Sequence, residues 1–155
     1  MTEIERIKDQ LRRSVEGEAW HGPSLHELLA DVTAEEAAAR PIAGAHSIEE
    51  IIRHVSYWFV ATRRRITGAL VMPTEAEQWP EAAIPWPQQR AHLETTYGEL
   101  METIGQLTDQ QLAAPIAGKT YDVYFQLHGL IQHNLYHAGQ IAILKRAVRV
   151  SRTGL

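Results

Sequence analysis

The sequence predicts an all-α fold, a four-helix bundle running up-down-up-down. Three observations predict it. Apolar residues recur at helical spacing through four long segments, and Ser/Thr-x-x-Glu/Gln capping patterns stand before helical stretches. No stretch alternates apolar and polar residues convincingly as a half-buried strand would. Long helices with short extras pack most naturally as a bundle.

The first segment, residues 3–16, carries Ile4, Ile7, Leu11 and Val15 on one stripe, and Gly17 ends it. Pro23 and Ser24 suit the start of a short helix running to about Ala30. Thr33 and Glu36 form a capping box for another short turn, closed by Pro41. Ser47 and Glu50 repeat the pattern and open a strong helix over about 48–67. Its stripe is Ile48, Ile51, Ile52, Val55, Trp58, Phe59 and Ile66, and Gly68 ends it. Residues 68–86, with Pro73, Pro80, Pro85, Trp79 and Trp86, read as a long irregular connection. That length in a compact domain points to a functional loop or lid. Pro87 suits a first helical position for a helix over about 87–106, through Leu93, Tyr97, Leu100, Met101 and Ile104. Thr108 with Gln111 marks a short turn, and Gly118 breaks the chain before a last helix over about 121–148. Residues 1–155 are expected to form a single domain.

Composition narrows the function classes. Apolar content of 45% and charged content of 22% are those of an ordinary globular chain, and the net charge is −4. Arg63, Arg64 and Arg65 point in three directions around a helix, so no basic stripe exists and nucleic acid is not expected as a partner. The absence of cysteine removes disulfides, thiolate ligands and a cysteine nucleophile. The opening MTEIERIKDQLRRS is charged and amphipathic, unlike a signal peptide or a membrane span. A cytoplasmic protein without membrane contact is expected.

The chemistry gathers at histidine. His133 and His137 stand four residues apart, which puts both rings on one helix face about 6 Å apart. Two neutral imidazoles so spaced can converge on one cation, but two ligands hold a metal poorly. His54 is the best third candidate: it lies at the edge of its helix's apolar stripe, beside Ile51 and Trp58, facing the seam between helices. On spacing alone, the pair could equally be hydrogen-bonded or solvated, and His54 a packed boundary residue.

The run HNLYHAGQIAILKRA resembles the final-helix signature of the DinB/YfiT-like family of metal-dependent enzymes. GAHSIEEIIRHVSYW resembles that family's second helix, and EGEAWHGPSLHELLADVTAEEAAARP its first connection. The resemblance implies a divalent metal, zinc or nickel, held by His54, His133 and His137 with a coordination position left open. It also implies a small-molecule substrate, and a low-molecular-weight thiol such as bacillithiol or mycothiol as cosubstrate. A metal-dependent enzyme, either a thiol-dependent S-transferase or a hydrolase, is therefore expected. The alternative is a non-catalytic metal or small-molecule binding protein associated with stress. The family is often dimeric, and the N-terminal helix with the apolar residues of the connection is the expected source of a homodimer interface.

Around the three histidines, the candidates for catalytic roles are Glu50, Gln140 and His46. Glu50 lies one turn before His54, though its capping role already accounts for it. Gln140 lies one turn beyond His137 and could hydrogen-bond a ligand's second nitrogen. His46 precedes the Ser47 cap. His21 is expected on a surface loop, with a pocket role as its alternative; His26 and His92 are expected to be exposed. His128 lies about 140° from His133 around the last helix and faces elsewhere. Tyr57, Tyr136 and Trp58 are expected in the core.

Overall fold

A computed structural model describes residues 1–81 and 84–153. Seven α-helices follow in chain order: α1 Glu3–Val15, α2 Leu25–Leu29, α3 Ala34–Ala38, α4 Ile48–Ile66, α5 Glu75–Gln78, α6 Trp86–Gly105 and α7 Val123–Thr153. A 3-10 turn, Asp109–Ala113, precedes α7. No strand occurs among the described residues, which leave only an isolated bridge between Pro115 and Asp122.

The capping patterns do what their chemistry requires. At Thr33 and Ser47 the hydroxyl accepts from the N–H three residues on, and the glutamate there reaches back to the cap's own N–H. Thr2 with Glu5 and Ser24 with Glu27 form two more such boxes. A further one, Thr74 with Glu77, starts α5 inside the stretch expected to be irregular. Two boundaries also differ from expectation. Helix α6 begins at Trp86, capped by Pro85, so Pro87 is its second residue. Helix α7 begins at Val123, because Tyr121 and Asp122 are drawn into backbone bonding with Ile116 and the Pro115 bridge. Asp122 then accepts from the Phe125 N–H to open the helix.

The four long helices α1, α4, α6 and α7 bury one apolar cluster, with Ile7, Leu11, Ile52, Phe59, Leu100 and Ile141 at its centre. Their order departs from up-down-up-down. Arg53 donates to Gln89 and Arg63 pairs with Glu99, so ten residues along α4 match ten along α6 and the two run parallel. Tyr97 meets Glu16 while Gly105 lies against Lys8, which sets α1 antiparallel to α6. His54 meets His133 while Arg65 meets Gln126, which sets α7 antiparallel to α4. The bundle is up-down-down-up. Helix α4 is 19 residues long, so the chain must return roughly 28 Å before α6 can start. The 68–86 connection makes that return, although residues 82 and 83 lie outside the described residues.

Helix α1 spends its stripe internally. Ile4, Ile7, Leu11 and Val15 are all buried in the cluster, so they are not available for the dimer interface expected of them. Tyr136 is 66% exposed and Tyr57 only half-buried, against the expected core placement of both. Trp58 is also partly exposed, packed against the cluster rather than enclosed in it. The outer half of α7 is tied to the α2–α3 region by Lys145 and Arg149 on Asp31 and by Arg149 on Glu36. No helix among the described residues is long and apolar enough to cross a membrane.

Candidate metal centre

Helices α4 and α7 bring His54, His133 and His137 together across their seam. His133 Nε2 lies 3.0 Å from His54 Nε2 and 3.1 Å from His137 Nε2. Two imidazole nitrogens bound to one ion at 2.0–2.1 Å, with tetrahedral or octahedral angles, stand roughly 2.9–3.4 Å apart. The spacing is already that of a ligand set.

Hydrogen counting supports the same conclusion. His54 Nδ1 lies 2.7 Å from the backbone oxygen of Gln78, which can only accept, so Nδ1 carries the hydrogen and Nε2 a lone pair. His137 Nδ1 lies 2.6 Å from Gln140 Oε1 and is fixed the same way. His133 Nε2 can donate one hydrogen, which either serves one neighbour or is split weakly between the two. In the first case the other contact sets lone pair against lone pair in a buried site, where an unmatched polar contact is costly. Adding protons is no remedy. Burial, chiefly, pushes His54 down to about 4 and His133 to about 3, and lowers His137 as well. Three neutral rings, each offering a lone pair to one point, are the donor set for a cation.

Aromatic rings shape the surroundings. Trp79 stacks on His54 at 3.9 Å and on His46 at 3.6 Å, so an indole covers one side of the site. The half-buried His133 also lines an open cavity of about 200 Å³, beside Trp58. One ring of the group is thus covered by an indole and another borders a cavity.

The remaining candidates divide. Gln140 reaches His137 as its position suggested. His46 stacks on Trp79 and pairs with Glu50, and touches none of the three rings directly. Glu50 is engaged by the Ser47 N–H, by Arg40 and by His46. Burial pushes its carboxyl up, yet those partners outweigh it and leave the pKa lowered. It is held as an anion within the cap, a poor position for a base. His21 is exposed beside Trp20, and His92 is exposed as expected. His26, expected to be exposed, is partly buried against Tyr97 and pairs with Glu94. His128 packs against Tyr124 with the rings tilted at 43° and stays outside the three-histidine group.

One contributor escaped the sequence reading, the Gln78 carbonyl delivered by α5, whereas Trp79, which follows it, walls the site as an indole in that connection could be expected to. A signal for the turn that delivers the carbonyl was present. Thr74 and Glu77 form the same capping pattern recognised at Ser47, and it predicts the helix turn that ends at Gln78.

The comparisons with known proteins agree with the geometry. A crystal structure of a conserved protein from Enterococcus faecalis superposes with a TM-score of 0.72 at 17% identity, covering 96% of this chain and 98% of that one. At that identity the likeness speaks to the fold alone. No curated protein matches the sequence. The sequence profile of the DinB superfamily matches residues 19–141, from the first connection through the last histidine of the group and beyond. The chain belongs to the DinB superfamily.

Proposed function

We propose that this chain binds one divalent cation, zinc or nickel, through His54, His133 and His137, and works as a metal-dependent enzyme on a small molecule. The observation carrying this reading is the meeting of three Nε2 atoms, two of them carrying lone pairs that a single hydrogen on the third cannot serve in full. Held by these three rings, such an ion would supply Lewis acidity to a thiol or a water, since three protein ligands leave room for one more.

The chain's own residues orient and enclose. Gln78 and Gln140 hold two rings in the tautomer that offers Nε2. Trp79 keeps water from the outer side of His54. The cavity beside His133 admits the substrate. Among the described residues no carboxylate contacts the three rings, so proton removal has no side-chain base to rely on. That favours a nucleophile acidic enough to need none. A thiol-dependent S-transferase using a low-molecular-weight thiol is thus preferred to a hydrolase.

The test is thioether formation from bacillithiol or mycothiol and an electrophile such as an epoxide, followed by mass spectrometry. Product that appears only with metal-loaded protein, and not with His133→Ala, supports the transferase. Ester cleavage without thiol would move the assignment to a hydrolase. Absence of turnover with every thiol and ester would leave a non-catalytic binding protein. The chain is also proposed to form a homodimer, through exposed apolar side chains of α7 such as Tyr136 and Ile143. Sedimentation velocity checks this, and a monomer at all concentrations contradicts it.

A further inference from the structure

The cavity beside His133 holds a buried charge that the metal reading does not use. Arg65, in the last turn of α4, is only 4% exposed and lines the same cavity as His133. Its guanidinium is held entirely by neutral acceptors. Nε and Nη2 donate to the Val71 carbonyl oxygen at 3.3 and 2.9 Å. Nη1 donates to Gln126 Oε1 at 3.0 Å and to the Tyr121 hydroxyl at 3.3 Å. Trp58 offers its ring face 5.1 Å from Cζ.

Among the described residues no carboxylate forms an ion pair with Arg65. Its neighbours Arg63 and Arg53, by contrast, have Glu99 and Glu49. Arginine keeps its proton in proteins, so burial leaves a full positive charge in place. Burying such a charge without a counter-ion is costly, and neutral acceptors recover only part of that cost. A cation so placed, at the wall of an open cavity, is suited to a ligand that brings the missing anion.

We propose that this cavity binds the carboxylate end of a small, partly apolar substrate on Arg65 and Tyr121, with its reacting end toward the three histidines. The Tyr121 hydroxyl turns its hydrogen from Gln126 Oε1, 3.3 Å away, to the ligand. The carboxylate is preferred to a phosphate because a single guanidinium and one hydroxyl match one negative charge, not two. Trp58 and Phe125 supply apolar walls for the body of the molecule. The length follows from α7: Gln126 and His133 are seven residues apart, roughly 10 Å of helix. That span and the cavity's volume of about 200 Å³ suit an arylalkanoate or a chain of similar length. The orientation of the substrate rests on the metal reading, whereas binding of the carboxylate does not.

The test uses the full chain, with its metal content measured on the same sample. Calorimetric titration compares 3-phenylpropionate, its neutral amide and inorganic phosphate. The acid is expected to bind at least tenfold more tightly than the amide and than phosphate. Tyr121→Phe is expected to weaken the acid several-fold, and Arg65→Met to bring it level with the amide, both without change in metal content. Equal binding of acid and amide overturns the proposal, as does tighter binding of phosphate or no binding of the acid. These comparisons on the unaltered protein decide the matter even if Arg65→Met does not fold. Arg65-dependent binding of the acid to a protein that takes up no metal would uphold the carboxylate site and refute the metal reading. Full metal loading with no preference for the acid would do the reverse.

Discussion

At the scale of single residues, the three histidines depend on groups that never touch the ion. Gln140 fixes the His137 ring through Nδ1, and such outer partners typically contribute 10–100-fold in metal affinity. Gln140→Leu is expected to weaken metal binding by roughly that factor without a large loss of stability. Competition against a chromogenic chelator measures it, and unchanged affinity would show that the contact does no positioning. The histidines also set a pH dependence for the metal-free protein. In the unfolded chain they titrate near 6.5, whereas burial pushes His54 to about 4 and His133 to about 3 in the fold. Between those values the unfolded chain binds more protons, so stability falls as pH drops from about 6.5 toward 4. Above that window these groups contribute no slope. Calorimetry of metal-free protein should show the melting temperature falling across the window, with a shallower fall in His133→Asn. A flat profile would contradict the burial argument.

Elements explain which parts of the site could be read in advance. Helix periodicity places His133 over His137 and sets His54 at the edge of a stripe, because those relations lie within one helix each. The Gln78 contact is different: a backbone oxygen has no side-chain signature, and it reaches His54 only because α5 interrupts the connection. Arg65 is hidden for a related reason. Within Arg63-Arg64-Arg65 nothing local distinguishes the arginine that α7 buries from the two that face outward or pair with glutamate. Helix α5 itself is testable. Thr74→Ala removes its cap, a loss of about 1 kcal/mol confined to a four-residue helix. Metal affinity should fall while the global melting temperature barely moves. Equal loss of both would mean that α5 belongs to the core rather than to the site.

For the whole molecule, the all-α bundle is visible in the pattern of apolar stripes, but the direction of its helices is not. Stripes state which face is buried, not which neighbour it meets, and the parallel pairing of α4 with α6 appears only in cross-helix contacts. The connection's length was the available clue, since adjacent parallel helices require a long return. The absence of native cysteine makes this topology directly checkable. Arg63→Cys with Glu99→Cys should join through a short bis-maleimide, whereas Arg63→Cys with the exposed Gln88→Cys, about three turns from Glu99 on the same face of α6, should not. The opposite pattern would restore up-down-up-down. The core that supports both helices is continuous, and fully buried Phe59 sits within it. Phe59→Ala should cost about 3–5 kcal/mol in denaturant unfolding, and a much smaller loss would mean that the bundle packs loosely there.

The central claim is that three neutral rings meet at one point because a cation belongs there. Its most direct test is metal stoichiometry by mass spectrometry on protein purified without a histidine tag, for the unaltered chain and for His54→Ala, His133→Ala and His137→Ala. One divalent ion per chain, lost in each variant while the helical content persists, is the predicted result. A metal-free chain after exposure to zinc and nickel, or full retention in any of the three variants, would contradict it.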